Sequence, residues 1–511
     1  MRRLLLAFLI LHAVTGHAAP DPVFDGTLSP QSAPVLNGDD SRAENPLGRP
    51  KPAAAVAPSR FSGGFLGLYP EGFFELTTGR CKDCRAPRES LWYFQNEVIA
   101  TPKSGPPAIV WIGSNEMIEG ARLSEDGRFI TLKDGARMPL SLVPKIASNR
   151  SYFDVNSIAF MRGRTLRLRG EIAEEGGVKR FVARTIWPED FRIDSSRLSL
   201  EPVSSEEGIA PLIKEDDGGA QGSFTTRLLW EKPGAARAWD GKTVMGLMLN
   251  GAQGDDDEAQ AGHLSLFTGR FGPRGDMSDW LFSNFYDMDL TSEKGILPAL
   301  VPMDKYLADL NNGQNYYRPT DVLVAVLKDG RTAAEVQERF RGLYEAYYAH
   351  EIKYDRTTMS CAALIIDTMR KSGWNVPNIG PDSRVTASTL ALLTLLVTQD
   401  ASKAGSILDM ADQERTRLFP RVAFEETGRD LLRLVGDQAA AIRKELPPFE
   451  RMLQEDLVAL VYVRVPQIPS SRKWGQFPVG SMGEYFWRAP LFHSQWQTHP
   501  SVPRSYPPPH D

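Results

Sequence analysis

Two kinds of hydrophobic periodicity divide this chain and restrict the architectures open to it. From residue 61 to about 200, apolar residues come in short runs such as "SLWYFQNEVIATP" and "AIVWIG", rich in aromatic and β-branched residues. Turn residues separate the runs. Two Asp-Gly pairs punctuate "ARLSEDGRFITLKDGARMPLSL", and Glu-Glu-Gly-Gly sits at the middle of "TLRLRGEIAEEGGVKRFVARTIW", which reads as a hairpin. No helical period of useful length intervenes, so an N-terminal all-β accessory domain, sandwich or barrel, is expected over 61–200. A polar, Gly-rich linker follows over 201–225, "EPVSSEEGIAPLIKEDDGGAQGSFT".

Beyond residue 226 strands and helices mix. "TVMGLMLNGA", "HLSLFTGRF" and "DWLFSNFYDMD" read as strands, with a turn at "GPRGDMS" between the last two. "MDKYLADLNNG" reads as a short helix and "DVLVAVLKDG" as a buried strand. "RTAAEVQERFRGLYEAYYAH" is an amphipathic helix in which Thr332 and Glu335 form a capping box. An α+β domain is expected over 226–380 and a helical C-terminal extension over 381–465. In that extension "LALLTLLV" is too short to span a bilayer and reads as a core helix. The tail, 466–511, is rich in Pro and aromatic residues. A chain of 511 residues exceeds one ordinary core, which agrees with this multidomain division.

The N-terminus, "MRRLLLAFLILHAVTGHAAP", has two arginines, an apolar run and small residues, the pattern of a secretory signal over 1–18. Residues 19–60 are Pro- and Ala-rich without hydrophobic period and read as a disordered linker. The expected compartment is the bacterial periplasm or the exterior, with no stable transmembrane span. A net charge of -5 and the lack of any Lys/Arg cluster exclude a nucleic-acid partner. Of three cysteines, Cys81 and Cys84 form a close pair, read as a small-loop disulfide or a free pair of structural residues. No second ligand pair makes a zinc site of them. The acidic run Asp255–Glu258 lacks an EF-hand pattern and reads as a solvated loop. No metal and no cofactor is expected.

Cys361 stands alone in "TTMSCAALIIDTMRKSGW". Thr357, Thr358 and Ser360 are candidate N-caps, Arg370 and Lys371 suit the last turn, and Gly373 is a natural residue to end the helix. Cys361 therefore lies in a first helical turn, where backbone N–H groups favour a thiolate and can hold an oxyanion. A thiol nucleophile needs a base. Of seven histidines, His12 and His17 belong to the signal, and His493, His499 and His510 to the irregular tail. His350 suits the C-terminal dipole of its helix. His263 opens a strand directly after a Gly-rich loop. If the following turn centres on Arg274 and Gly275, the returning strand brings residues Asn284 to Tyr286 level with His263. Asn284 is the polar candidate there for holding an imidazole tautomer.

The order "GHLSLF", then "SNFYD", then "MSCAALIID" resembles the circularly permuted papain-like, NlpC-like cysteine hydrolases, nearest in pattern to the Lnb-type periplasmic domain. The resemblance covers residues 226–380, and Ser360 stands where related families often carry Asn before Cys. It implies a permuted papain-like catalytic domain in which Cys361 is nucleophile, His263 base and Asn284 orienting group. The activity implied is a thiol hydrolase, of cysteine peptidase or amidase type. Its substrate would be an amide or ester of a cell-envelope peptide, glycopeptide or lipid, cleaved through an acyl-thioenzyme. The alternative is a non-catalytic envelope protein that uses the same fold as a scaffold.

Overall fold

The computed structural model describes residues 98–100, 109–111, 116–143, 153–213, 224–251, 262–285, 300–310, 319–348, 352, 354–355, 358–465, 468–469 and 478–484. The signal segment, Cys81, Cys84, Asp255–Glu258, His350 and the histidines of the tail lie outside them.

The β-rich region forms a closed barrel. Strands β3 (Glu116–Leu123), β4 (Phe129–Thr131), β5 (Arg137–Leu142), β6 (Leu166–Glu175) and β7 (Val178–Pro188) close in the order β3-β4-β5-β7-β6. The β5–β7 pairing is parallel and the others antiparallel. Both Asp-Gly pairs make turns, and the β6–β7 hairpin turns at Gly176 and Gly177, whose φ values of 60° and 79° favour glycine. A helix that periodicity did not reveal, α1 (Val155–Met161), bridges β5 and β6. It is held by a capping box of Asp154 and Ser157.

The second unit is a nine-stranded sheet in the order β1-β2-β12-β11-β10-β9-β13-β14-β8. Its strands are β1 (Val98–Ala100), β2 (Ile109–Trp111), β8 (Thr225–Glu231), β9 (Thr243–Asn250), β10 (His263–Arg270), β11 (Leu281–Ser283), β12 (Leu300–Pro302), β13 (Thr320–Leu327) and β14 (Leu457–Val465). From β12 to β8 every pairing is antiparallel, while the β1–β2 hairpin joins in parallel through Leu300 and Val110. The first two strands come from the stretch assigned to the accessory domain, and β14 from the stretch assigned to the helical extension. β14 enters the sheet between β13 and β8. Within the third expected strand, Leu281–Ser283 is strand among the described residues.

The helices are α2 (Met303–Ala308), α3 (Arg331–Tyr348), α4 (Cys361–Lys371), α5 (Arg384–Thr398), α6 (Ala401–Ala411), α7 (Arg415–Leu418), α8 (Pro420–Val435), α9 (Ala439–Ile442) and α10 (Pro448–Asp456). Together the barrel, the sheet and these helices make a mixed α+β architecture. Thr332 lies inside α3 rather than capping it. The buried carboxylate of Asp456 takes the cap's place, accepting from the backbone of Asp329 (2.7 Å), Gly330 (3.2 Å) and Thr332 (3.3 Å) and from the Thr332 hydroxyl (2.8 Å). The expected core helix is only half buried. Leu390 and Ala391 of α5 pack into a satellite cluster with Val422, Val479 and Met482, while Val385 (77%), Leu392 (56%) and Leu396 (67%) are exposed. No helix among the described residues is long and apolar enough to cross a membrane.

Charge joins the barrel to the sheet unit. Arg169 of β6 donates to Asp304 at 2.7 Å and to Asp279 at 3.1 Å, and Arg184 of β7 donates to Asp309 at 3.0 Å. Arg167 adds bonds to Glu119, Asp276 and Asp279. Asp304, Asp309, Arg169 and Arg184 are buried, so the Arg169–Asp304 and Arg184–Asp309 pairs are shielded from solvent.

Candidate functional site

The site is built at one end of the buried strands. His263 is the first residue of β10, and Gly262 before it has a φ of 100°. A β-carbon at Gly262 would come within 2.7 Å of the Asn250 carbonyl oxygen and 3.2 Å of Pro478, so only glycine brings the chain into the strand at this angle. The register of β10 with β11 pairs Leu266 with Ser283, which sets Asn284 level with Ser265 and diagonal to His263 on the same face. The two side chains meet: His263 Nε2 and Asn284 Oδ1 are 3.1 Å apart, and both residues are buried. Because the amide oxygen only accepts, Nε2 is the donor in this bond. The Tyr344 hydroxyl donates to the Asn284 backbone carbonyl at 3.0 Å and its ring stacks on Phe285, which fixes the backbone that carries the amide.

A row of polar groups that sequence reading missed lies beside this pair. Asn250 is the cross-strand partner of His263, and Thr320 is the partner of Asn250. Asn250 donates to the Thr320 hydroxyl at 2.8 Å and accepts from the Tyr306 hydroxyl at 2.8 Å. Tyr306 also shares a 2.6 Å hydrogen bond with Ser265, and its ring centroid lies 6.5 Å from that of His263. The usable signal was Asn250 itself, the one amide closing the apolar run "VMGLMLN" just before the loop that leads to His263.

Cys361 is the first residue of α4, a free and buried cysteine. Of the three candidate caps the chain uses Ser360, whose hydroxyl accepts from the Ala363 amide at 3.3 Å and donates to the Arg417 carbonyl at 3.1 Å. Arg370 and Lys371 occupy the last turn, and Gly373 follows with a φ of 92°, as the pattern required. α4 packs along β10. Its exit lies beside α10: Trp374 and Phe449 have ring centroids 6.1 Å apart, and the Asn375 amide donates to Glu450 at 2.8 Å. α10 leads straight into β14 at Leu457, which is level with Leu327, Thr243 and hence Arg270. The first turn of α4 adjoins α7 through the bond from Ser360 to the Arg417 carbonyl, and its exit adjoins the start of α10.

The described residues contain no cluster of His, Cys, Asp and Glu able to hold a metal ion. Comparison with family models, with curated proteins and with solved structures returns no match. The class of protein stated here is therefore the one its own fold and site define: a barrel joined to an antiparallel sheet with a helical layer. In it a buried histidine, bonded to an asparagine just past the next strand, opens one strand, and a cysteine opens the helix packed on that strand.

Proposed function

We propose that the protein is a periplasmic thiol hydrolase of permuted papain-like type, cleaving an amide or ester bond of a cell-envelope peptide, glycopeptide or lipid. The observation that carries the reading is the buried His263–Asn284 hydrogen bond, which fixes the imidazole tautomer with Nδ1 as base. In this reading His263 Nδ1 takes the Cys361 proton. The sulfur attacks the substrate carbonyl, and N–H groups of the first turn of α4 hold the oxyanion. The imidazolium returns its proton to the leaving amine or alcohol as the C–N or C–O bond breaks. Water, deprotonated by the same Nδ1, then attacks the thioester and releases the acid, restoring the thiol. Asn284 holds its bond throughout and touches no substrate, so it is a positioning residue.

The test is alkylation of Cys361 by iodoacetamide as a function of pH. An activated thiolate labels well below the ordinary thiol range of about 8.5, and His263→Ala removes that early labelling. A Cys361 that labels only on unfolding supports the scaffold reading, for which the burial of Cys361 is the favouring observation.

A further inference from the structure

A cleft of about 390 Å³ lies between the start of α8, α7 and the segment 478–484. Arg415, Arg421 and Arg429 line it together with Glu425, Glu426 and Glu484. Two of the three cations are occupied. Arg421 bonds Glu425 at 2.7 Å and lies 3.6 Å from Glu484, and Arg429 lies 3.3 Å from Glu426. Arg415 is different. Its Nε is enclosed with no hydrogen-bond partner, and no carboxylate of the described residues lies within ion-pair distance of it. The guanidinium fork matches the two oxygens of a carboxylate or phosphate. Burial pushes the Glu426 carboxyl up, while the nearby Arg429 and Arg415 charges pull it back down.

Both walls of the cleft are tied to the candidate site. Pro478 packs against Gly262, the residue before His263, and its carbonyl accepts from Arg421 at 3.5 Å. α7, which begins with Arg415, takes the hydroxyl of Ser360, the residue before Cys361, on its Arg417 carbonyl. The cleft therefore adjoins the elements that carry both reacting groups.

We infer that this cleft receives an oxyanion, a carboxylate or a phosphate, carried by the substrate of the neighbouring site, with Arg415 as its principal contact. The link to a substrate rests on the hydrolase reading above; the binding of an anion does not.

The experiment is calorimetric titration of the full chain as the Cys361→Ala variant, which binds without turning over. The two probes are N-acetylglycine, a peptidic carboxylate, and glycerol 3-phosphate, a headgroup phosphate. Saturable binding of either, weakened about tenfold or more by Arg415→Gln, supports the inference, since a lost charge-assisted pair is worth at least that factor. The tighter probe identifies the source of the oxyanion. Arg415→Lys keeps the charge but loses the fork and should fall between. Binding of neither probe, or binding indifferent to Arg415→Gln in a variant with unchanged circular dichroism, overturns it. A reactive Cys361 with no anion binding removes the cleft and keeps the hydrolase; anion binding beside an inert Cys361 does the reverse.

Discussion

Replacing Asn284 by alanine isolates the one contact on which the proposed chemistry depends. In the native site the His263 Nε2–H donates to the Asn284 side-chain oxygen at 3.1 Å, in a place where both residues are buried. The variant leaves a buried donor short of its acceptor, at about 1–3 kcal/mol. That energy is no longer available to hold the ring in the tautomer protonated at Nε2. The fraction of His263 able to take the thiol proton falls by roughly 5- to 150-fold, toward the lower figure if a water fills the space vacated by the amide. The second-order rate of Cys361 alkylation at neutral pH should fall by the same factor. It is read by mass spectrometry of the Cys361 peptide, with far-UV circular dichroism as the check on folding. Asn284→Asp retains an acceptor, restores the ring's orientation and favours the imidazolium, so it should recover early labelling. A folded Asn284→Ala protein whose labelling rate stays within about twofold of the native rate would falsify the role given to this pair.

Three other outcomes follow from particular contacts. Asp456→Ala removes the acceptor of four hydrogen bonds at the start of α3 and should cost about 3–5 kcal/mol, seen as a lower denaturation midpoint by tryptophan fluorescence and as faster amide exchange in that first turn. Asp430 is buried against Trp374 and Arg433, and burial raises its carboxyl affinity for protons above that of the unfolded chain. The native state then binds the extra proton, so Asp430 contributes a loss of stability as pH rises from about 4 through its raised value. Asp430→Asn should flatten that part of the stability–pH curve, and an unchanged slope would count against it. The double change Cys81→Ser and Cys84→Ser should leave Cys361 labelling unaltered; loss of labelling in a folded double variant would bring the pair into the site.

The sequence was most informative where local rules dominate. Polar His263 at a strand mouth and the turn at Arg274 and Gly275 brought Asn284 to Tyr286 near His263, and side-chain chemistry picked Asn284 among them; the register sets it level with Ser265, diagonal to His263. Ser360, Arg370 and Gly373 marked both ends of α4 because cap chemistry is local. What counting missed depends on partners distant in sequence. Thr332 looked like a cap because Glu335 follows three residues later, but Asp456, 124 residues away, supplies four acceptor contacts at once. β14 follows a run of helices, and nothing local shows that it pairs with β13 and β8. The face of α5 that carries Val385, Leu392 and Leu396 reads as core in any scale, since composition does not record which side of a helix is covered. The same limit hid Tyr306, whose hydroxyl matters only because it reaches Asn250 of β9 and Ser265 of β10.

The polar row beside His263 is the strongest argument that this end of the sheet serves more than stability, and it can be tested as a unit. β9, β10 and β13 are buried along most of their length, where apolar side chains are the simplest filling. Yet Thr320, Asn250, Tyr306 and Ser265 form an unbroken hydrogen-bonded chain, with bonds of 2.8, 2.8 and 2.6 Å. Removing one member strands a partner, but replacing all of them with apolar groups of similar shape strands none and is expected to be nearly neutral or stabilising. The combined variant Thr320→Val, Asn250→Leu, Tyr306→Phe and Ser265→Ala should therefore keep its denaturation midpoint within about 1 kcal/mol of the native value or above it. If the row exists to set the polarity and packing around the His263 ring, the same variant should lose early Cys361 alkylation, and the pH at which the ring titrates by NMR should move. A variant that is as stable as the native chain and labels with the native pH profile would show the row to be structural alone. A variant that unfolds, while Tyr306→Phe alone does not, would show the chain of bonds to be part of the core rather than of the site.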